Sequence, residues 1–303
     1  MLKAVIKAMR PYQWVKNLLV FVSLVFAHKL GDPASVLLSG GAFGVFCLLS
    51  SSIYLLNDIV DVEADRAHPR KKSRPLASGA LSLPVALAVA LLLGGGALIW
   101  AWYLSEPEAY VPFIAIPASY LALQLAYSCL LKRMLIVDCL CVALGFLLRV
   151  HAGSVVLGVP SSSWLLLCTF FFALFLAFSK RRNEVGLDDT GNTRATLRRY
   201  TERFLDQLIS SLAAVSILSY ALYTLAEETI TQHGNQNLLI TVPLVVYGVY
   251  RYQFLVLQRG EGGDPSRLLF RDRPLIICGL TYVLVVWFAL AAPGLFVMDA
   301  TNR

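Results

Sequence analysis

Asn57, Asp58, Asp61 and Asp65 stand where an apolar run, Val36 to Leu56, gives way to charge. The three aspartates are spaced i, i+3, i+7, which puts them on one face of a helix, and Asn57 joins that face through Asp61, one turn on. Carboxylates so close repel one another and lipid solvates them poorly, so a bound cation is the natural compensation. Hard oxygen donors without Cys or His suit Mg²⁺, which reaches a protein through a few carboxylates plus substrate phosphates. A solvated helix end that is merely acidic is the alternative reading. Arg66 and the cluster Arg70-Lys71-Lys72-Ser73-Arg74 follow directly. Carboxylates for a metal beside cations for phosphate are what a pyrophosphate leaving group requires, because both neutralise charge building on the departing oxygens. Loop topology alone would also account for Lys71 and Lys72.

Three further constellations carry candidate chemistry. In Arg10-Pro11-Tyr12-Gln13-Trp14-Val15-Lys16-Asn17, a helix beginning at Pro11 would set Gln13, Lys16 and Asn17 on one side. A plain Trp/Tyr/Lys interface anchor is the competing reading. Tyr127, Lys132 and Arg133 precede Asp138, which shares a helical stripe with Val142, Gly145 and Arg149. Asp138 and Arg149 lie about 16 Å apart along such a helix, so each needs a partner or cavity elsewhere. A structural partnership inside the bundle would serve equally. Lys180-Arg181-Arg182-Asn183-Glu184 closes another apolar run, with Asp188 and Asp189 beyond it. Three cations there are in part a topology signal; at a cavity mouth they would also hold phosphate oxygens.

The elements that must position these residues are membrane helices. Apolar residues make up 57% of the chain and the mean hydropathy is +0.67, too high for a surface facing water. Nine apolar runs are long enough to cross about 30 Å of hydrocarbon: 17–31, 36–56, 82–104, 110–130, 135–158, 163–179, 208–226, 237–257 and 274–297. The expected fold is all-α, a single polytopic membrane domain over 1–303 with about nine spans. All but Lys29, Arg149, Arg251 and Arg303 of the 26 Lys and Arg residues fall on one side of that topology. The positive-inside rule makes that side the cytoplasm, so the site faces the cytoplasm and the host membrane is the bacterial cytoplasmic (inner) membrane. The first apolar run has no clean small-residue cleavage site and is expected to be retained as helix one. Net charge of +7, distributed over such loops, suits anionic headgroups and phosphorylated substrates and argues against nucleic acid. The six cysteines all lie in or at the ends of apolar segments and read as buried, inert thiols.

Connections on the uncharged side are short, Glu227–Gln236 among them. The two longest charged connections follow helices two and six, an offset that suggests two four-helix repeats plus a ninth helix. Asn192 to Gln207 reads as an amphipathic helix, with Leu197, Tyr200, Phe204 and Leu208 on one face.

At these residues the chain resembles the UbiA superfamily of intramembrane prenyltransferases. Asn57-Asp58-Ile59-Val60-Asp61-Val62-Glu63-Ala64-Asp65 matches that family's first aspartate-rich pattern, NDxxDxxxD, in the expected place after helix two. Within the superfamily the strings RPYQWVKNLLVF, YLLNDIVDVEADRAHPRKKSRPLASG, YSCLLKRMLIVD, GFLLRVHAG and FSKRRNEV most resemble decaprenyl-phosphate phosphoribosyltransferases. Ordinary members carry a second acidic DxxxD motif after helix six; here that position reads Lys180-Arg181-Arg182-Asn183-Glu184. The resemblance implies transfer of 5-phosphoribose from phosphoribosyl pyrophosphate to a polyprenyl phosphate, with pyrophosphate released. It implies Mg²⁺ on Asn57, Asp58, Asp61 and Asp65, the three aspartates being catalytic. Substrate phosphates would meet Lys16, Asn17, Arg66, Lys72, Arg74, Tyr127, Lys132, Arg133, Asp138, Arg149, Lys180 and Arg181. A prenyltransferase acting on a small acceptor is the alternative, with Asp188 and Asp189 standing in for the second motif; a non-enzymatic carrier of anionic lipid would leave the acidic face unexplained. Assembly into a homo-oligomer stays open.

Overall fold

The computed structural model describes residues 1–67, 71–106, 111–186, 199–263, 268 and 271–291. Among these the chain is α-helical with short 3₁₀ segments, and seven helices, not nine, are long and apolar enough to cross a membrane. Hydropathy counts apolar residues without testing whether they wind into one continuous helix. The expected first span is instead a 3₁₀ helix, Pro11–Phe21, followed by the five-residue α2, Val22–Phe26. The expected fourth contains α6, Ala115–Cys129, at 15 residues short of the roughly 20 that a crossing needs.

The chain divides into two compact units, Met1–Ser161 and Ser162–Arg303. The first unit opens with α1, Leu2–Met9, and is built around α3, Pro33–Val60. Asp32 caps α3, its carboxylate accepting from the backbone N–H of Ala34 and Ser35 and from the Ser35 hydroxyl. Those bonds, the Ser35 hydroxyl foremost, hold the Asp32 carboxyl below its ordinary pKa. Ala42, Val45, Phe46, Leu49 and Ile53 of α3 form a helical stripe in the core, joined by Val20, Leu24, Tyr120, Ala152 and Val156.

α5, Leu83–Tyr103, turns Ala86, Ala90, Gly94, Ala97 and Ala101 inward. Small side chains let two membrane helices approach closely, and Ser52 of α3 donates across that seam to the Ala90 carbonyl at 2.7 Å. The other face of α5 points Leu91, Leu92 and Trp102 outward at 63%, 75% and 65% exposure, a surface stable only against lipid. α7, Val137–Val156, meets the 3₁₀ segment through Gly153, where an added Cβ would lie 2.1 Å from the Val20 carbonyl oxygen. α4, Val62–Ala67, is a short turn beyond α3.

The second unit holds α8, Ser163–Gly186, and α9, Glu202–Leu225, then α10, Glu227–His233, α11, Val242–Arg259, and α12, Arg273–Ala291. Leu205, Ile209, Ala213 and Ser216 form the buried stripe of α9. The connection expected at Glu227–Gln236 is largely the helix α10, ended by Gly234 in the left-handed conformation. Of the amphipathic helix expected at 192–207, residues 192–198 lie outside the described residues; Glu202 onward is the first turn of α9, capped by Thr201. Of the six cysteines, Cys129 is exposed and Cys168 half-buried, so burial is not common to all. Cys129 is the last residue of α6, where the apolar run ends.

Candidate active site

The aspartates sit where α3 breaks. α3 ends at Val60, and Asp61 caps it with φ −96° and ψ 8° before α4 resumes. The backbone bonds Asp61 N–H to Asn57 O and Asp65 N–H to Asp61 O keep near-helical spacing through the break. The three carboxylates nevertheless differ in burial. Asp58 and Asp65 are buried, at 1% and 3% exposure, whereas the Asp61 side chain keeps 32% of its surface.

Each carboxylate meets a cation brought from elsewhere in the first unit. Arg74 bridges two of them, with Nη1 2.5 Å from Asp65 Oδ2 and 3.1 Å from Asp58 Oδ1. Arg10 Nη2 lies 2.5 Å from the same Asp58 oxygen, and its guanidinium covers the Tyr54 ring at 5.0 Å. Lys132 donates to Asp61 Oδ1 at 2.8 Å. Ser128 at the end of α6 donates its hydroxyl to Asn57 Oδ1.

Local sequence explains how these cations are held. Leu76 and Leu81, just past Arg74, are buried with Ala8, Leu55, Ala86 and Ala90, so an apolar anchor fixes the basic loop against α1, α3 and α5. Lys7 of α1 donates to the Ser73 carbonyl. Arg10 adopts φ 54°, ψ 59° immediately before Pro11. That backbone is rare for a residue with a Cβ and rarer before proline, and costs on the order of 1–3 kcal/mol unless its surroundings enforce it. Ile136 at the start of α7 has φ 69°, ψ −45°, with Val137 N–H donating to the Leu135 carbonyl at 2.8 Å. This is the strained, non-inverse kind of γ-turn, on a β-branched residue, four positions beyond Lys132.

Asp58 Oδ2 is buried without a hydrogen-bond partner. A buried carboxylate oxygen left so is costly unless something else occupies it. Among the described residues no three His, Cys, Asp or Glu side chains converge as a ready metal cage. Mg²⁺ rarely uses such a cage, taking one or two carboxylates plus phosphate and water. An orphaned oxygen on Asp58, the accessible Asp61 and the carbonyl of Asn57 therefore fit it.

Other expected contacts are distributed differently. The segment from Pro11 is a 3₁₀ helix, in which residues three apart eclipse. Trp14 and Asn17 thus turn together onto α3, whereas the expected grouping was Gln13, Lys16 and Asn17: Trp14 donates to Ser51 at 3.0 Å and Asn17 to Ser50 at 3.3 Å. Lys16 is half-buried, as is Tyr127. Arg149 is 5% exposed and fully engaged inside the bundle, donating to Asn17 Oδ1, the Gly145 carbonyl and the Tyr120 hydroxyl. Asp138 is buried in the first turn of α7. Arg66, Lys72 and Arg133 are exposed.

In the second unit, Arg181 is buried and pairs with Glu184 at 2.5 Å, while Lys180 is exposed beside the same carboxylate. Arg182 pairs with Glu202 and Asp206 of α9. Asp188 and Asp189 lie outside the described residues. Two contributors went unselected in the sequence, Arg10 and Ser128. Arg10 looks there like one more topology charge, and only its position before Pro11 marks it.

Comparisons with known proteins bear on this site. The model of the UbiA prenyltransferase family matches residues 17–271. The decaprenyl-phosphate phosphoribosyltransferase of Mycolicibacterium smegmatis is 36% identical over 294 residues, covering 93% of this chain and 91% of that protein. Its counterpart in Corynebacterium glutamicum is 35% identical over 297 residues, covering 96% and 88%. The fold is similar to that of a UbiA homolog from Archaeoglobus fulgidus solved with DMAPP and Mg²⁺, with a TM-score of 0.72 at 17% identity over 95% of this chain and 99% of that one.

Proposed function

This chain belongs to the UbiA prenyltransferase family, and from that premise we propose that it transfers 5-phosphoribose from phosphoribosyl pyrophosphate to a decaprenyl-type polyprenyl phosphate. The observation that carries the reading is the interleaving of Asp58, Asp61 and Asp65 with Arg10, Arg74 and Lys132 at one end of the first unit. A donor with a diphosphate at one carbon and a further phosphate elsewhere matches an acidic cluster surrounded by separate cations. The position of the family's usual second acidic motif is instead basic, with Arg181 buried there. The identity to phosphoribosyltransferases over most of the chain supports the same donor.

In the reaction, the bond from ribose C1 to the diphosphate oxygen breaks and a bond from C1 to a lipid phosphate oxygen forms. Pyrophosphate leaves with the electron pair. Asn57, Asp58, Asp61 and Asp65 would hold Mg²⁺, which when bound draws charge from the departing oxygens. Arg74, Lys132 and Arg10 stabilise the same diphosphate by direct contact. The attacking phosphate is already anionic at neutral pH, so no general base is required of the protein. The site faces the cytoplasm of a bacterial inner membrane, on the distribution of Lys and Arg.

The test is direct. Purified protein in detergent receives Mg²⁺, polyprenyl phosphate and phosphoribosyl pyrophosphate labelled in the ribose, and the organic phase is counted. Label in the lipid, lost without Mg²⁺, is the expected result. No label from folded protein that instead consumes a prenyl diphosphate would replace this reading with prenyl transfer.

A further inference from the structure

We propose that Arg10 locks the acidic cluster against divalent cations until a diphosphate arrives, so that metal and diphosphate enter together. The inference rests on the acidic cluster being the metal and diphosphate site.

Charge balance is the first ground. Asp58, Asp61 and Asp65 are met by Arg10, Arg74 and Lys132, so the three carboxylates are matched by three cations. A divalent cation alone would bring excess positive charge into a largely buried site, and a diphosphate alone excess negative charge. Together they nearly cancel, and the low local dielectric sharpens the difference.

Geometry assigns the lock to Arg10. Asp58 is the most buried of the three acids, and Arg10 shares its Oδ1 with Arg74 while Oδ2 has no partner. Arg74 is also committed to Asp65; Arg10 has no second carboxylate among the described residues. Its other contact is the Tyr54 ring, which holds a guanidinium without neutralising it. Arg10 is therefore the cation best placed to leave Asp58 for a phosphate oxygen. The left-handed backbone before Pro11 aims it there, since an ordinary conformation would turn the side chain elsewhere.

The test titrates Mn²⁺ into the full chain in detergent and reads unbound Mn²⁺ by electron paramagnetic resonance, with and without inorganic pyrophosphate. In the wild type, pyrophosphate should tighten Mn²⁺ binding about tenfold or more, within the usual range of coupling between sites. Arg10→Gln should bind Mn²⁺ alone about tenfold more tightly than the wild type, with most of the coupling lost. Arg10→Lys, which keeps the charge, should regain part of the coupling. Unchanged or weaker Mn²⁺ binding in folded Arg10→Gln overturns the lock while leaving the metal site standing. Should Arg10→Gln fail to fold, absence of coupling in the wild type overturns it equally. No Mn²⁺ binding in the wild type even with pyrophosphate overturns the metal-site reading, and the lock with it.

Discussion

Lys132 donates a 2.8 Å hydrogen bond to Asp61 across 71 residues of sequence, tying the end of α3 to the connection between α6 and α7. Asp61 is the most accessible of the three acids and Lys132 keeps 11% of its side-chain surface. The pair adds little to stability, because a partly solvated ion pair contributes about 0–1 kcal/mol. On the proposed function, its use is in holding opposite charges ready for a diphosphate and its metal.

Asp61→Ala should therefore abolish label transfer to lipid, and Lys132→Ala should lower turnover by roughly 10²–10³-fold, as loss of a preorganised charge contact does. Both should keep a thermal midpoint near that of the wild type in detergent. Normal turnover in folded Asp61→Ala would sink the assignment of the site.

Asp58 behaves differently because it is buried between two guanidinium groups. Asp58→Ala leaves Arg10 and Arg74 facing each other without their shared acceptor, and the expected loss is about 2 kcal/mol, below the roughly 3–5 kcal/mol of a fully buried pair since both arginines keep some solvent. Denaturant unfolding should rank Asp58→Ala clearly below Asp61→Ala. Equal midpoints would contradict the burial contrast.

Ile136 carries backbone strain beside Lys132. Ile136→Gly removes the clash between its Cβ and the γ-turn, and the thermal midpoint should rise by the equivalent of about 1 kcal/mol. The same change loosens the chain four residues beyond Lys132, so turnover should fall severalfold with little change in apparent affinity for the lipid. A rise in both stability and turnover would show that the strain has no catalytic purpose.

In the second unit, Asp272 accepts two bonds from Arg251, at 2.9 and 3.3 Å, and these hold its carboxyl below the ordinary value. A carboxyl with a depressed folded pKa contributes stability above its unfolded value, near 3.9, and loses it as pH falls through the folded one. Asp272→Asn should flatten the decline of the thermal midpoint below about pH 4, while at neutral pH the variant is the less stable protein. Parallel acid limbs would contradict the ion pair's contribution.

What the sequence determined was membrane character, helical class and the identity of the acidic pattern, because these depend on composition and on neighbours within a turn or two. Nine apolar runs promised nine helices; hydropathy does not register that Pro11–Phe21 winds as 3₁₀ or that α6 stops at 15 residues. The local spacing of Asp58, Asp61 and Asp65 was equally legible, but their separate partners were not. Arg10, Arg74 and Lys132 reach the carboxylates across 48, 16 and 71 residues; the sequence singled out Arg74 and Lys132 for phosphate and left Arg10 as one more basic residue, with no sign of which carboxylate each would meet. Arg149 is a cation whose partners the sequence left open, and the bundle engages it with Asn17, Gly145 and Tyr120. Which charge meets which is decided by tertiary packing: burial makes an uncompensated charge too costly to leave, and only the folded bundle fixes which groups lie close enough to compensate it.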